Sequence, residues 1–272
     1  MKKILLLVAA AAVTAVSCNK NRVDIWVDNS PIIEFKDPRF QNALIELSSM
    51  YGDYTYSDGK KTYIQFKDMN GDGKVSEMEA SRVEYLDLSG YKIRNLDELT
   101  YFTSLKVLYC QNNDVSRINV TQNTALTELN CMNNKLTDLD VSKNTSLTTL
   151  NCRYNSLTSL NVGGCASLSD MVCEGNSISV LSLDGCPGLT DLNCSDNMIT
   201  SLDVSGCPDL KTLNCSDNRI TRLDVSHNKY LSSLSCSGNP LEKILIYEYF
   251  SLPESFVYGS EFSDIIEFVM WD

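Results

Sequence analysis

Histidine is all but absent from this chain of 272 residues, where His227 stands alone. One imidazole cannot build a polyhistidine metal site, and it leaves a serine or cysteine triad without support from the sequence. Positive charge is also short, with 23 Lys and Arg against 35 Asp and Glu and a net charge of -12. Phosphate backbones need a basic patch, so nucleic acid is excluded as a partner. The 11 cysteines include no C-x-x-C pair, which removes the common zinc spacing. There is no glycine-rich phosphate loop either, and the chain is read as not an enzyme. What is present is 43% hydrophobic and 21% charged. That is enough to bury a core, and it excludes disordered, collagen-like and polytopic membrane classes.

The one long apolar run, Ile4 to Val16, follows the basic head Met1-Lys2-Lys3 and precedes Ala15-Val16-Ser17-Cys18. It is too short to span a bilayer permanently and reads as an export signal. Cysteine after Ala-Val-Ser resembles the lipobox of bacterial lipoproteins; in an ordinary secretory leader Cys18 would be incidental. The resemblance implies a signal peptide at 1–17, acylation of Cys18 and a lipid-anchored tether at 18–30. Several acyl chains hold stably where one does not. The implied address is the outer membrane of a Gram-negative bacterium. Asn19-Lys20-Asn21-Arg22 lacks the acidic residues that follow the cysteine in some surface-exposed lipoproteins, so surface and periplasmic faces both stay open.

A 21-residue period dominates the rest. Position 1 is Leu105, Leu126, Leu147, Leu168, Leu189, Leu210 and Leu231, and position 4 is leucine except at Met171. Position 6 is Cys110, Cys131, Cys152, Cys173, Cys194, Cys215 and Cys236, and position 9 is always asparagine, from Asn113 to Asn239. The pattern L-x-x-L-x-C-x-x-N resembles the leucine-rich repeat. Apolar residues at positions 11, 14 and 16, with Asn123, Asn144, Cys165, Cys186, Cys207 or Asn228 at position 19, repeat the same phrase, as in the nested 21-residue class.

So short a period has no room for an average helix of about 11 residues beside a strand and two turns. Apolar positions 4 and 6, and again 14 and 16, alternate with polar ones, as in a strand with one buried face. The expected fold is a mainly β repeat solenoid. It is a right-handed leucine-rich repeat coil with a parallel concave sheet, short extended or second-sheet segments on the far side, and a small α-containing N-terminal cap. The repeats, about eight, span 83–251, with Val83, Leu86 and Leu88 opening the first. Thiols stacked in one inward row behave as small buried hydrophobes and keep their Cβ atoms farther apart than the roughly 3.8 Å of a disulfide, so they are expected to be mainly free and inert. Cys165, Cys186 and Cys207 are read as packing or turn residues. The position-9 amides are expected to satisfy turn backbone and the next coil's asparagine together.

The N-terminal cap, 31–82, should hold a helix started by Asp37-Pro38, with Phe40, Ala43, Leu44 and Leu47 on its apolar face. It ends in Asp68-Met69-Asn70-Gly71-Asp72-Gly73-Lys74-Val75-Ser76-Glu77-Met78-Glu79, a match to the EF-hand calcium loop. Calcium takes six to eight oxygens. Asp68, Asn70 and Asp72 would offer side chains, Lys74 a carbonyl, Ser76 a direct or water-mediated contact and Glu79 two oxygens, with Gly73 at the bend. Thr62 to Lys67 reads as strand where an entering helix would stand, and no partner loop is present, so one structural calcium is expected. A C-terminal cap, 252–272, begins an incomplete coil at Leu252 and carries Phe256, Tyr258, Phe262, Phe268 and Trp271 to close the core.

Function then falls to the concave face. Tyr109, Glu128, Arg153, Tyr154, Asp170, Glu174, Asp191, Asp196 and Asp217 make it polar and largely acidic, and they are the candidate partner-binding residues. Resemblance to internalin-like repeat proteins implies a recognition module or adhesin for a protein ligand. The alternative is glycan binding within a surface carbohydrate-handling apparatus, for which only Tyr109 and Tyr154 offer aromatic platforms. The chain is read as a monomer that meets the membrane through its lipid anchor alone.

Overall fold

The computed structural model describes residues 28–50, 55–57, 59, 61–247 and 265–269. Helix α1, Pro38–Met50, opens the cap as the Asp37-Pro38 signal requires. The Asp37 carboxylate accepts from Arg39 N–H at 3.0 Å and from Arg94 N–H at 2.6 Å, so one residue both caps the helix and fastens it to the first coil. Phe40, Ala43 and Leu44 are buried, while Leu47 is only partly so. Phe40 stacks on Phe102 with 5.8 Å between ring centroids, carrying the helix onto the end of the solenoid. The hairpin Thr55–Ser57 with Thr62–Ile64 and the short helix α2, Glu77–Ser81, complete the cap.

Eight parallel strands follow in chain order: Tyr85–Asp87, Val107–Tyr109, Glu128–Asn130, Thr149–Asn151, Asp170–Val172, Asp191–Asn193, Thr212–Asn214 and Ser233–Ser235. Register is direct, position on position, from Leu86↔Leu108 to Leu213↔Leu234. With ~4.8 Å between neighbouring strands, the sheet is roughly 34 Å long across its seven steps. The core is one continuous column of buried leucine, isoleucine, valine and cysteine. On the far side the second sheet is real but interrupted. Asp138–Asp140 pairs with Ser159–Asn161, and Arg222–Asp224 with Lys243–Tyr247. Between them only Asp203 bridges Asp224.

Two ladders of side-chain donors hold the coils in register, and both differ from the expectation. At position 9 each amide works against backbone, not against the next asparagine. Asn134 Nδ2 donates to Cys110 O of the preceding coil at 3.0 Å and to its own Cys131 O at 3.1 Å, while Oδ1 accepts from Val115 N–H at 3.0 Å. The same set recurs through Asn239. The turn leaves carbonyls facing the following coil, whose asparagine amide reaches back to them.

At position 19, Asn123, Asn144 and Asn228 donate to two carbonyls of the coil before, as Asn144 does to Val120 O at 3.0 Å and Asn123 O at 2.8 Å. Their Oδ1 atoms are buried and find no partner. Cys165, Cys186 and Cys207 are therefore not mere packing residues: Cys165 Sγ donates toward Val141 O at 3.3 Å, and Cys186 Sγ toward Val162 O at 3.4 Å. A thiol keeps the donor and drops the orphaned oxygen.

Part of the expected C-terminal cap is described, and Ile265 and Ile266 pack against the core. Ile266–Val269 adds a parallel strand beside Lys243–Tyr247 on the far side, with Phe268 paired to Ile246, so this stretch extends the second sheet. Leu252, Phe256, Tyr258, Phe262 and Trp271 lie outside the described residues.

All ten cysteines from Cys110 to Cys236 are free and buried. Burial pushes the Cys131 and Cys173 thiols up to about 12 and those of Cys165, Cys207 and Cys236 up to about 11. Thiols ionise near pH ~8.5 in an unfolded chain. Unfolding above that value therefore releases protons, and the stability present below it is lost as pH climbs toward the folded values. Urea midpoints should fall steeply between pH 8 and 10, and thiol reagents should label these cysteines only after denaturation. For the second ladder, Asn144→Ala should cost about 2 kcal/mol by leaving two carbonyls unbonded. Asn144→Cys should stay within about 1 kcal/mol of the parent in the same urea titrations.

Candidate recognition face and calcium loop

The strands turn positions 4 and 6 into the core and positions 3 and 5 outward, so the repeat lays its variable residues on one broad face. Its first part is aromatic. Val107 sits on this outer side yet is only 3% exposed, because Tyr63 of the hairpin, Tyr85 and Tyr109 close over it. Tyr85 meets Tyr63 at 6.2 Å and Tyr109 at 5.7 Å between centroids. The Tyr109 hydroxyl donates to Glu128 Oε1 at 2.6 Å, where the aromatic step ends.

Beyond it the face is acidic. Asp170 and Asp191 are direct partners on neighbouring strands. Desolvation within the sheet face, and then Asp191, raise the Asp170 carboxyl above its usual range. Two unit charges about 5 Å apart repel by ~1 kcal/mol in water and by ~3 kcal/mol at an effective dielectric of about 20. Asp87, Glu128, Glu174, Asp196 and Asp217 lie on the same face, and among the described residues none of these seven carboxylates forms an ion pair. Arg153 is the one cation near the middle. Its guanidinium lies over the Tyr154 ring at 5.5 Å, and the Tyr154 hydroxyl donates to Glu174 Oε1 at 3.0 Å.

Position 8 follows a rule of its own. Asn112, Asn133, Tyr154, Gly175, Asp196, Asp217 and Gly238 all have positive φ, between 52° and 69°. Asparagine, aspartate and glycine tolerate this left-handed region, whereas tyrosine rarely enters it. Tyr154 is held there with 48% of its surface exposed. Its ring lies on Gly175, where a Cβ would stand 2.4 Å from Tyr154 Cδ1. All nine candidate residues thus share the face in three contacts, Tyr109–Glu128, Arg153–Tyr154–Glu174 and Asp170–Asp191, with Asp196 and Asp217 apart along the position-8 edge. Tyr63 and Tyr85 were missed by the sequence reading. Tyr85 could have been found, since it occupies position 3 once Leu86 is aligned with position 4.

The acidic loop leads into α2. Gly71 and Gly73 have φ of 70° and 72°. Asp68 accepts from Gly71 and Gly73 N–H at 2.7 and 2.9 Å, and Asp72 from Lys74 N–H at 2.8 Å. Ser76 caps α2, and Glu79 closes the loop by accepting from Met69 and Ser76 N–H at 2.8 and 2.9 Å. Ser76 is buried, and its hydroxyl is shared between Glu79 and Asp28, a carboxylate that no spacing rule pointed to. Strand Thr62–Ile64 stands where an entering helix would be. The donors are all hard oxygens, the chemistry calcium takes. Among the described residues no three acidic, histidine or cysteine side chains converge as a finished cage. Cys18 lies outside the described residues.

Residues 103–144 match the family model for leucine-rich repeats in two copies. No curated protein sequence matches the chain. The functional domain of InlJ from Listeria monocytogenes, which includes a cysteine ladder, is 34% identical, with a TM-score of 0.58 over 64% of this chain and 41% of its own. A leucine-rich repeat protein of Leptospira interrogans is 28% identical, with a TM-score of 0.57 over 61% of this chain and 46% of its own. The chain therefore spans less than half the length of either structure. Internalin C2 from Listeria monocytogenes, 19% identical, shares the fold with a TM-score of 0.54 over 87% of this chain and 93% of its own. Among the described residues no helix is long and apolar enough to cross a membrane. Strand register, the two donor ladders and these likenesses give the molecule the fold of a leucine-rich repeat coil, with repeats of that family at residues 103–144.

Proposed function

We propose that this is a lipid-anchored recognition module of a bacterial envelope, which docks a protein partner on its eight-stranded face as an adhesin would. The observation that carries the reading is Tyr154, an exposed tyrosine kept in a left-handed conformation beside Arg153 at the middle of that face. Tyrosine and arginine near the centre of a surface are the residue types that dominate protein interfaces. Its backbone conformation costs about 1–2 kcal/mol. The glycan alternative has less support, since Tyr109 is half-buried and bonded to Glu128, leaving Tyr154 as the one open platform on the sheet.

Anchoring rests on Ala15-Val16-Ser17-Cys18. The tether from Cys18 leads to Asp28, Ser30 and Pro31, which bond to the acidic loop and α2: Glu77 N–H donates to Pro31 O at 2.9 Å and Met78 N–H to Ser30 Oγ at 3.1 Å. In this reading Asp68, Asn70, Asp72, Lys74, Ser76 and Glu79 hold one calcium, which supplies structural rigidity and no chemistry. The ion would fasten tether, cap and first coil together.

Tyr154→Asn should leave the melting temperature unchanged or higher, because asparagine suits the left-handed site. The same variant, like Asp191→Lys, should lose the protein captured from surface-exposed envelope material. Retention of a bound glycan on an array, dependent on Tyr154 and with no captured protein, would favour the alternative. Chelation should lower the melting temperature by about 5–10 °C relative to calcium at a hundred times its Kd. Asp72→Ala should abolish that difference, and equal transitions with and without chelator would remove calcium from the account. Cys18→Ala should move the protein from the membrane to the soluble fraction, and protease treatment of intact cells should distinguish the outer surface from the periplasm.

A further inference from the structure

We propose that the occupant of the sheet face is an extended, basic segment of a partner protein, lying across the strands with an apolar side chain on the tyrosine step and cationic side chains at Asp170 and Asp191. This rests on the docking reading above and adds the chemistry of the occupant. The face divides into two zones along the solenoid. At its N-terminal end Tyr63, Tyr85 and Val107 are buried, and the half-buried ring of Tyr109 is the exposed edge of an apolar step that ends at Glu128. From the middle onward lie carboxylates that no cation of the described residues pairs, with Asp170 and Asp191 stacked on adjacent strands. Such a column repels itself in the free protein and is relieved by lysine or arginine placed against it, which is also how opposite charge selects partners and register. An acidic or neutral segment would meet the same field without that gain.

Geometry fixes the pattern further. The strand of Tyr109 and those of Asp170 and Asp191 are three and four steps apart, roughly 14 and 19 Å at about 4.8 Å per step. An extended chain advances about 3.3 Å per residue, so its apolar and basic side chains should lie about four to six residues apart. Tyr154 and Arg153 stand between these zones, beside the path of such a segment.

The test uses the full chain and synthetic peptides of fourteen residues. Each peptide carries one leucine and a Lys-Arg pair in a Gly-Ser background, separated by two to ten residues, beside matched Asp-Glu peptides and an unbiased peptide array. Fluorescence anisotropy at low salt should show tightest binding at separations of four to six. Binding should weaken at least fivefold in D170N/D191N, which removes charge and repulsion without removing volume. Thr149→Trp, at the centre of the face, should abolish binding of every peptide. Circular dichroism melts of both variants establish that they fold. Array peptides that are lost with Thr149→Trp but are not basic, or that bind D170N/D191N as tightly as the parent, would overturn the basic segment while leaving docking in place. A Thr149→Trp variant that loses no peptide would overturn docking itself. A folded parent that binds none of the peptides would also overturn the basic segment.

Discussion

The constraint on which the rest depends is the fate of the backbone where each strand ends. A coil of 21 residues must turn sharply several times, and every turn leaves carbonyls facing inward at an edge closed to water. Buried backbone groups need partners. The repeat supplies them from side chains of the following coil: an amide at position 9 and an amide or thiol at position 19. Because each donor reaches back one coil, it bonds correctly only when the coils are in register. The ladders therefore fix the alignment of the sheet, which a hydrophobic column alone would leave free to slip. Flattened coils with a small core per turn need that, since leucine on leucine is satisfied by more than one alignment.

Much of this was legible in the sequence, for a physical reason. A solenoid repeats its environment, so the same position meets the same demand seven times, and chance is averaged out. Leu108, Cys131 and Asn134 announced strand, core and turn before any geometry was known. The direction of the asparagine bonds was not legible. An amide can satisfy backbone or another amide, and only the offset between coils decides between them. Nor was the work of Cys165, Cys186 and Cys207, because a thiol reads first as a hydrophobe. Its equivalence to Asn144 emerges only when Cys165 is seen pointing at the corresponding pair of carbonyls one coil on and the Asn144 oxygen is seen to be orphaned.

Where repetition stops, legibility falls. The cap is a single instance, and its strongest signals were those with local mechanisms: Asp37-Pro38 at a helix start and Gly73 at a bend. Its long-range ties were hidden. Asp37 reaching Arg94, Asp28 reaching Ser76 and Tyr63 lying on Tyr85 each join residues 22 to 57 apart in a stretch with no period to align them. Residues after Lys243 keep the apolar alternation of the far side, so the final strand joins the second sheet and not the first.

The recognition face is a by-product of the same turn. Position 8 must enter the left-handed region for the chain to leave the strand, and in most coils asparagine, aspartate or glycine occupies it without strain. Tyr154 accepts the strain and is steadied by Gly175 beneath it, Glu174 at its hydroxyl and Arg153 over its ring. Coils on either side show that the fold does not need an aromatic there. In the proposed function, a residue that the architecture tolerates poorly, braced by three neighbours and left open to solvent, serves a contact outside the molecule. The fold supplies a position whose conformation is fixed by the turn, and a side chain on so rigid a site loses little freedom when a partner closes over it. The constraint that orders the core thus also sets the geometry of the surface.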